Sequence, residues 1–412
     1  MNFKVYELEN AQQLLLNKIK VKEEVVHLGS AWGKVLAEEI TAPINVPQFR
    51  KSALDGFALR AADTFGAEEN NPKKIKIIDE IQAGDTRILA TLLPGCGVKI
   101  LTGAPLPSGA DVVIRKEDFD QIDGEITIFK ELIKDSNIID IGDDIKIGET
   151  LFSSGELLTP YHVGVLASLG ISHVKIYKPP QVALLSTGTE LKNPGELLEF
   201  GQIYNSNLYT LSALVKSLGG SIDSLGNIPD KIEIIKVNLY EALDKCDLVL
   251  TTGGASVGDY DLIEEALQEM GAEILFNRIK IKPGSPVVAG LIKGKLVIGL
   301  SGNPAACLIT FELLVRPLIK KLMGKKDVEF RYNEVILVDG FQKASFQRRF
   351  VRVNVKYKNG KWLAYQTGKQ STGILKSMVN CNALIDIPAG SEPIKPGSLV
   401  KAILLKDDLS YF

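Results

Sequence analysis

The residues best suited to chemistry in this sequence lie at two strand-to-helix corners of the kind that bind phosphate. Residues 247–252 form an apolar run typical of a buried strand, which leads into Gly253 and Gly254 and then into a helical pattern. Residues 295–304 repeat this order, and Asn303 is expected to cap the helix that follows. Free backbone N–H groups at such corners bind anions.

A basic turn lies between the two corners. Residues 278–286 read RIKIKPGSP, which places Arg278 and Lys282 beside a Pro-Gly turn, where they can donate charge-assisted hydrogen bonds. One glycine-rich corner alone is more typical of ordinary turn chemistry. Three such stretches within about sixty residues, with carboxylates beside them, predict one site for a phosphate-rich ligand.

The carboxylates near these corners imply a metal ion, because carboxylates do not bind phosphate directly. Glu190, Asp230 and Asp261 stand at or just beyond the ends of predicted strands. With three histidines and four widely spaced cysteines the chain lacks a His- or Cys-rich centre, so we expect a hard, oxygen-bound metal such as Mg²⁺. A surface ion pair or a helix cap is the alternative role for each carboxylate, and for Asp230 helix N-capping is an equal alternative.

Length and composition restrict the class of protein. A chain of 412 residues is too long for one hydrophobic core, which predicts two to four domains, and 45% hydrophobic with 24% charged residues is typical of a soluble globular protein. A net charge of -2 without a basic block argues against a nucleic-acid partner. Because no apolar run approaches the roughly eighteen residues of a membrane helix and no signal-peptide pattern is present, we expect a cytoplasmic protein without a membrane partner.

The elements that must position the site follow from the hydrophobic periodicity. Strand and helix patterns alternate over 179–325, which indicates a doubly wound α/β sheet. A long last helix is predicted over 303–323, with a kink or break at Pro317. Cys246 and Cys307 stand in apolar contexts and are expected to be buried thiols.

The rest of the chain divides into helical and β-rich stretches. Helical patterns over 6–20, 30–40 and 158–170 suggest a stalk that a β-rich segment interrupts. Short alternating runs between Gly and Pro turns indicate that β-rich segment and a small β-barrel at the C-terminal end. The predicted fold is therefore multidomain α/β, with a split helical stalk at 1–45 and 148–178, an inserted β-rich domain at 46–147, an α/β domain at 179–325 and a C-terminal β-barrel at 326–412.

A series of motifs in this order resembles the molybdopterin molybdenumtransferase family, also called molybdenum insertases, which includes the E domain of gephyrin. The similarity covers nearly the whole chain, and several motifs in register are far more specific than one. The motifs are SALDGFA at 52–58, TGAPLPSGAD at 102–111, N-x-x-x-x-G-x-D at 137–144, STGTEL at 186–191, GGASVGDYD at 253–261, KPGSP at 282–286, GLSGNP at 299–304 and QSTGILKSM at 370–378.

The resemblance implies both an activity and an assembly. The implied reaction inserts molybdate into adenylylated molybdopterin, which binds to the α/β domain, and releases AMP with the help of Mg²⁺. The implied assembly is an elongated four-part monomer in a two-fold homodimer, with each active site shared between the chains. A molybdopterin adenylyltransferase is a further candidate partner.

The matching motif positions give each candidate residue a role. The catalytic candidates are Asp55, Asp144, Glu190, Asp230 and Asp261, of which Glu190 and Asp261 are assigned to Mg²⁺. Thr102 and Ser371 are assigned to hydrogen bonds with molybdate or a phosphate. The full set of cofactor-binding candidates is Thr102, Thr187, Gly188, Gly253, Gly254, Ser256, Arg278, Lys282, Pro283, Gly284, Ser301, Gly302, Asn303, Pro304 and Ser371.

Some positions depart from the family pattern, which leaves tungstate open as an alternative to molybdate. Ile139 and Asp140 stand where many members carry Arg, so an anion contact there is either missing or supplied by Lys146. The remaining departures are Arg278 for Lys, Ser285 for Lys, Ser301 for Pro and Ala306 for Ser.

Two other functions remain open on the sequence. One is a molybdopterin adenylyltransferase-like or pyrophosphatase-like enzyme on the same α/β fold, which a lone α/β domain would favour. The other is a non-catalytic cofactor-binding scaffold, which the retained carboxylates argue against.

Overall fold

The computed structural model describes residues 4–87, 91–253 and 262–405, apart from the side chains of 120–122. The chain forms two compact units. The larger comprises Met1–Glu38, Ser154–Thr159 and Val174–Phe412, as far as these are described, and the smaller comprises Glu39–Ser153 and Pro160–His173.

Helices and strands are numbered along the chain. The α-helices of the described residues are α1 Leu8–Lys18, α2 Pro160–Ser168, α3 Ser206–Ser217, α4 Ile232–Lys245, α5 Leu262–Glu269, α6 Pro304–Thr310 and α7 Arg316–Leu322. The strands up to residue 187 are β1 Val5–Tyr6, β2 Glu23–His27, β3 Ile40–Thr41, β4 Lys51–Ser52, β5 Gly56–Leu59, β6 Lys73–Ile81, β7 Cys96–Ile100, β8 Val112–Arg115, β9 Asp120–Ile122, β10 Glu125–Ile128, β11 Ile138–Ile139, β12 Thr150–Phe152, β13 His173–Tyr177 and β14 Gln181–Thr187. The later strands are β15 Leu191–Lys192, β16 Ile203–Tyr204, β17 Ser221–Ile228, β18 Leu248–Thr252, β19 Glu273–Ile279, β20 Pro286–Ile292, β21 Lys295–Leu300, β22 Tyr332–Leu337, β23 Arg349–Lys358, β24 Lys361–Gln366, β25 Ala383–Ile387 and β26 Ser398–Leu404.

A seven-stranded sheet organises the larger unit, in the order β1-β19-β20-β21-β18-β14-β17. Strands β17, β14, β18 and β21 run parallel, and β20 runs antiparallel to both of its neighbours. One face of the sheet packs against α1, α3 and the helical stretch that begins with α6, and the other packs against α4 and α5. The apolar runs of β14 and β18 fit burial on both faces, and the predicted doubly wound α/β fold is confirmed.

A closed β-barrel follows the α/β sheet, with strands paired in the order β22-β24-β23-β25-β26. Its interior is filled by alternate residues of the five strands. Phe350, Leu384 and Ile403 point away from that interior and join the core of the α/β sheet. The predicted C-terminal barrel is therefore present, and it is packed against the α/β sheet through an apolar interface.

The smaller unit is built on a six-stranded sheet in the order β8-β5-β7-β6-β10-β9. Its two faces bury separate apolar clusters, one around Phe57 and Ile126 and the other around Ala58 and Ile100. Adjacent residues of β5 point to opposite faces, as expected for a strand buried on both sides. The short alternating runs of the sequence thus form a sheet, as predicted.

The predicted helix over 30–40 is wrong. Only the 3-10 turn Leu28–Ser30 forms there, and Gly33 takes a left-handed φ of 76° that ends any helical path. Val35 and Leu36 instead make antiparallel bridges to neighbouring segments. Tertiary β-pairing has overridden the local helical pattern.

The helix predicted over 303–323 is continuous but changes its pitch. A π-helical turn, Phe311–Val315, separates α6 from α7, and Pro317 stands in the first turn of α7. Proline lacks the N–H that an α-helical hydrogen bond needs. The helix does not break at Pro317; it widens into the π-helical turn just before it.

The cysteines of the chain are free thiols. Burial raises the pKa of Cys246 to about 11 and that of Cys307 to about 12, so both stay protonated and chemically quiet at neutral pH. The expectation of buried thiols is confirmed for both. Among the described helices, none is long and apolar enough to span a bilayer.

Candidate active site

A cavity of ≈ 930 Å³ lies at the carboxyl ends of the parallel strands. The sheet reverses its strand order between β14 and β18, and in such sheets the crevice outside that switch point is the usual ligand site. Thr187 ends β14, Thr252 ends β18, and both line the cavity. The other lining residues are Gly188, Glu190, Leu191, Ile203, Tyr204, Asn205, Ser206, Asn207, Asp230, Gly253, Leu262, Gly284, Pro286, Ser301, Gly302, Asn303, Pro304, Ala306 and Thr372.

The corner after β14 carries an unsatisfied hydroxyl. Thr187 is 1% exposed, and its Oγ1 has no hydrogen-bond partner in the described part of the chain. A buried hydroxyl without a partner costs free energy, so Thr187, a residue of the cavity wall, is a candidate donor to a polar ligand. The sequence placed Thr187 among the cofactor-binding residues, and the structure brings it to the cavity.

Asp230 is tied to the corner after β14. Its carboxylate accepts a hydrogen bond from the backbone N–H of Thr189 at 3.0 Å. The N-cap of α4 is Lys231, whose side chain makes no capping bond, and the Asp230 carboxylate bonds to Thr189 instead. The alternative of helix N-capping by Asp230 is therefore wrong, and the carboxylate faces the cavity.

Glu190 also lines the cavity, on the same corner. A methyl group at Gly188 would approach Glu190 Oε2 to 2.7 Å, so the glycine leaves room for the carboxylate to fold back over the corner. Among the residues with described positions, no cluster of three His, Cys, Asp or Glu side chains is present, and Glu190 and Asp230 are the acidic residues that line this cavity. Asp261, assigned to Mg²⁺ from the sequence, lies outside the described residues.

Gly253 brings the ends of β14 and β18 into backbone contact. Its φ is 86°, and a Cβ there would lie 2.1 Å from the carbonyl oxygen of Thr187. Only glycine permits both the conformation and the approach. Gly254 and Ser256, predicted to bind the cofactor at this corner, lie outside the described residues.

The corner after β21 is held from two sides. Asn303 is the N-cap of α6 with Pro304 at its start, as predicted, although the Asn303 side chain makes no capping bond. The backbone N–H of Asn303 donates to Ser301 Oγ at 3.2 Å. The side-chain amide of Asn207 donates to the carbonyl oxygen of Gly302 at 2.9 Å, which fixes α3 to this corner.

The basic turn lines the cavity with its uncharged residues and not with its two cations. Gly284 and Pro286 line the cavity, whereas Arg278 and Lys282 are absent from the lining. Strand β20 lies between β19 and β21, which places Arg278 two strands from the glycine corner of β21. The backbone of Lys282 bonds to the barrel, with its N–H 2.8 Å from the Arg348 carbonyl, and Pro283 beside it is buried.

The loop that follows barrel strand β24 contributes Thr372 to the cavity wall. The sequence assigned Ser371, but its neighbour Thr372 is the lining residue. The carbonyl oxygen of Thr372 accepts a hydrogen bond from the Ala305 N–H at 2.9 Å. The barrel thus satisfies one N–H group of the first turn of α6.

Several lining residues were missed in the sequence analysis. Asn205 caps α3 by accepting from the Leu208 N–H at 3.1 Å, and this role was readable from its place before an apolar helical pattern. Asn207 and Thr372 gave no such signal, because their roles depend on contacts between distant segments. Tyr204 lines the cavity at the end of β16.

Asp55 and Thr102, the candidates of the smaller unit, form a direct pair. The backbone N–H and the hydroxyl of Thr102 both donate to Asp55 Oδ1, at 2.8 and 2.7 Å. These bonds, the hydroxyl foremost, lower the pKa of Asp55 below its ordinary value. Asp55 is therefore a stable carboxylate at neutral pH.

The acidic loop of the smaller unit is arranged differently. Asp144 is exposed, and its N–H donates to the Val46 carbonyl oxygen at 3.0 Å. Asp140 accepts a bond from Arg50 Nε at 2.7 Å, so its charge is balanced by that guanidinium. Ile139, next to it, pairs with Lys51 in a short β-ladder.

Sequence profiles of known families match three regions that together span most of the chain. The MoeA N-terminal region (domain I and II) matches residues 6–170, a probable molybdopterin binding domain matches 183–321, and the MoeA C-terminal region (domain IV) matches 334–405. The second region contains most of the cavity lining, and the third contains the barrel.

Similarity to individual proteins also extends over the whole chain. A molybdopterin molybdenumtransferase of Staphylococcus aureus is 34% identical over 402 residues, which are 97% of this chain and 95% of that protein. One of Staphylococcus epidermidis is 34% identical over 404 residues, with the same two coverages of 97% and 95%. The crystal structure of the molybdopterin biosynthesis MoeA protein from Pyrococcus horikosii superposes with a TM-score of 0.87 at 34% identity, covering 98% of this chain and 100% of that one. The chain therefore belongs to the MoeA family of molybdopterin molybdenumtransferases.

Proposed function

We propose that this enzyme inserts molybdate into adenylylated molybdopterin and releases AMP, with Mg²⁺ as its cofactor. The observation that carries the proposal is the cavity of ≈ 930 Å³ at the switch point of the sheet, where two glycine corners meet and two carboxylates face inward. Its volume is within the range of about 300–1,000 Å³ that small-molecule sites occupy. A substrate with a phosphomonoester and a phosphoric anhydride suits these groups. The family to which the chain belongs also favours such a substrate.

The chain itself supplies the contacts for the phosphates. The Thr187 hydroxyl has no partner among the described residues, and by turning towards the cavity it would donate to a phosphate oxygen and remove the cost of its burial. Gly302 and Ala306 line the cavity, and their N–H groups make no backbone hydrogen bond among the described residues. These donors lie at the corner where the sequence predicted anion binding.

The acidic residues of the cavity fit Mg²⁺. This ion commonly takes one or two carboxylates and completes its octahedral shell with water and substrate phosphates. Glu190 and Asp230 would hold it in the cavity, with Asp261 as the further candidate from the sequence. When bound, Mg²⁺ would neutralise charge on the anhydride and leave its phosphorus open to attack.

We further propose a two-fold homodimer in which Asp55 and Thr102 of one chain complete the cavity of its partner. Both residues lie in motifs that resemble those of the family, and two hydrogen bonds from Thr102 hold the charged carboxylate of Asp55. A C₂ dimer would create two equivalent shared sites. Ligand sites commonly lie where domains meet.

Release of AMP from adenylylated molybdopterin tests the proposed reaction. Purified protein is mixed with this substrate and Mg²⁺, and AMP is measured with molybdate, with tungstate and without oxyanion. Oxyanion-dependent release that stops after EDTA treatment and returns with added Mg²⁺ is expected. Release of AMP without any oxyanion would indicate the pyrophosphatase-like alternative, and binding without release would indicate a scaffold.

A further inference from the structure

A short loop of the larger unit exposes apolar side chains close to the cavity. Residues 194–201, which we call the cap loop, lie between β15 and β16. Leu197 is 92% exposed and Phe200 is fully exposed, and neither takes part in the apolar cores on the two faces of the α/β sheet. Single exposed apolar residues are common, but several on one loop mark a surface that binds something.

Two tight turns give the cap loop its shape. Asn193 donates from its backbone N–H and from its side-chain amide to the two carboxylate oxygens of Glu196, both at 3.1 Å. The N–H of Glu199 donates to Gln202 Oε1 at 2.9 Å, and the N–H of Gln202 donates to the Glu199 carbonyl oxygen at 3.1 Å. The polar groups of the loop are thus bonded to one another while its apolar side chains stay in solvent. Because the loop is already ordered, these side chains lose little conformational entropy when they bind a ligand.

The strands on both sides of the cap loop form part of the cavity wall. Leu191 of β15 and Ile203 and Tyr204 of β16 line the cavity. Within the described chain, the cap loop makes one hydrogen bond beyond its two turns, which the Tyr204 hydroxyl donates to the Glu196 carbonyl oxygen at 2.8 Å. The loop therefore lies beside the cavity, and a single polar contact holds it in this position.

We propose that the cap loop folds over the cavity when substrate binds, so that Leu197 and Phe200 cover a planar aromatic ring system of the substrate. The wall beside the loop is formed by Leu191, Ile203 and Tyr204, whereas the phosphate donors and the carboxylates lie at the strand-to-helix corners. A ring placed against this wall leaves its phosphates at the corners, and the cap loop then buries its second face. The identity of the ligand rests on the proposed function: adenylylated molybdopterin carries two such rings, adenine and pterin.

Substitution of Phe200 tests its contact with the ligand. Phe200 is fully exposed in the ligand-free protein, so Phe200→Ser should keep the parent melting temperature, while the Kd for adenylylated molybdopterin should rise about tenfold. Phe200→Leu should keep most of the affinity, because it retains an apolar cover. Phe346→Ser is the matched control, since Phe346 is 91% exposed and lies outside the cavity lining. A parental Kd in Phe200→Ser would refute the contact.

Limited proteolysis with chymotrypsin tests the closure itself. Cleavage after Phe200 is followed with Mg²⁺ and either adenylylated molybdopterin, AMP or inorganic phosphate, and cleavage after the exposed Phe346 is the internal reference. Adenylylated molybdopterin should slow cleavage after Phe200 at least about fivefold relative to Phe346. Equal protection by AMP would identify adenine as the covered ring, and protection by the full substrate alone would identify the pterin.

Three results would overturn the closure. The first is binding of adenylylated molybdopterin, measured by calorimetry, without protection of Phe200. The second is equal protection by inorganic phosphate, which has no ring. The third is protection without ligand that grows with protein concentration, because a second chain would then cover the loop. Protection by a substrate that the protein never converts to AMP would leave the closure standing while the proposed function fails, and a substrate that does not bind would end both.

Discussion

The backbone N–H of Thr189 donates a hydrogen bond to the carboxylate of Asp230 at 3.0 Å. This bond joins the corner after β14 to the segment after β17, at the edge of the sheet where the cavity opens. It also leaves α4 with Lys231 as a cap that makes no side-chain bond. Asp230 is therefore held at the cavity wall by a backbone contact, which makes it a candidate for the ligand site.

Thr187→Val should separate stability from function. The valine removes a buried hydroxyl that has no partner in the described chain, so the free energy of unfolding should stay within about 1 kcal/mol of the parent or rise. Binding of the phosphate-bearing substrate should weaken, since its hydrogen-bond donor is gone. Thr251→Val is the matched control, because the Thr251 hydroxyl is also buried without a partner among the described residues, and Thr251 does not line the cavity. Equal kinetics in the two variants would show that Thr187 does not contact the substrate.

Gly253→Ala should damage the corner between β14 and β18. The added Cβ would lie 2.1 Å from the Thr187 carbonyl oxygen, and the φ of 86° adds strain, so we expect a loss of about 3 kcal/mol or more in the free energy of unfolding. Gly271→Ala shares a positive φ of 75° but meets nothing within 4 Å, so it should cost only about 1–2 kcal/mol. Denaturant unfolding of both variants measures the difference. If both variants lose the same free energy of unfolding, the approach of Gly253 to the Thr187 carbonyl oxygen does not require glycine.

The Asp55 carboxyl should titrate below its ordinary pKa of 3.8. Because the folded-state pKa is lowered, the stabilisation from the Thr102 contact is complete above the unfolded pKa and disappears as pH falls through the folded pKa. Thr102→Val removes the hydroxyl donor, the larger cause, and should raise the pKa of Asp55 in a carboxyl-detected NMR titration. Asp85, whose pKa is lowered by Arg87, is the internal control and should not move. If the pKa of Asp55 does not change in Thr102→Val, the hydroxyl of Thr102 is not the cause of the lowered pKa.

Subunit mixing tests the shared site. Homodimers of Asp55→Ala and of Asp230→Asn should each be inactive. In a random mixture, half of the dimers are mixed and carry one intact site of two, so AMP release should return to about a quarter of the parent value. A mixture that stays inactive although mixed dimers form would place the whole site within one chain.

Much of the α/β architecture was predictable because its signals are local. The strand of residues 247–252, the N-cap at Asn303 and the barrel runs follow from periodicity and turn chemistry, and the structure bears them out. The predicted helix over 30–40 failed because Val35 and Leu36 pair with segments that are distant in sequence. Periodicity within a short window cannot report such pairing.

The candidate site was predictable where glycine and carboxylate motifs mark the ends of strands. Glu190 and Asp230 were found in this way, and both line the cavity. Arg278 was assigned by its charge, but charge does not reveal that β20 separates its strand from the glycine corner of β21. Thr372 reaches the cavity through a contact between segments that are distant in sequence, and the sequence did not mark it.

Single-turnover release of AMP by Asp230→Asn is the most direct test of the central claim that this cavity is the active site. The asparagine can still accept the Thr189 N–H, so the fold should persist while the negative charge is lost. Asp244→Asn is the matched control, because its side chain is 75% exposed on α4, outside the cavity lining. The account predicts that molybdate-dependent AMP release falls at least about a hundredfold in Asp230→Asn and stays at the parent value in Asp244→Asn. A normally folded Asp230→Asn protein with parental AMP release would contradict it.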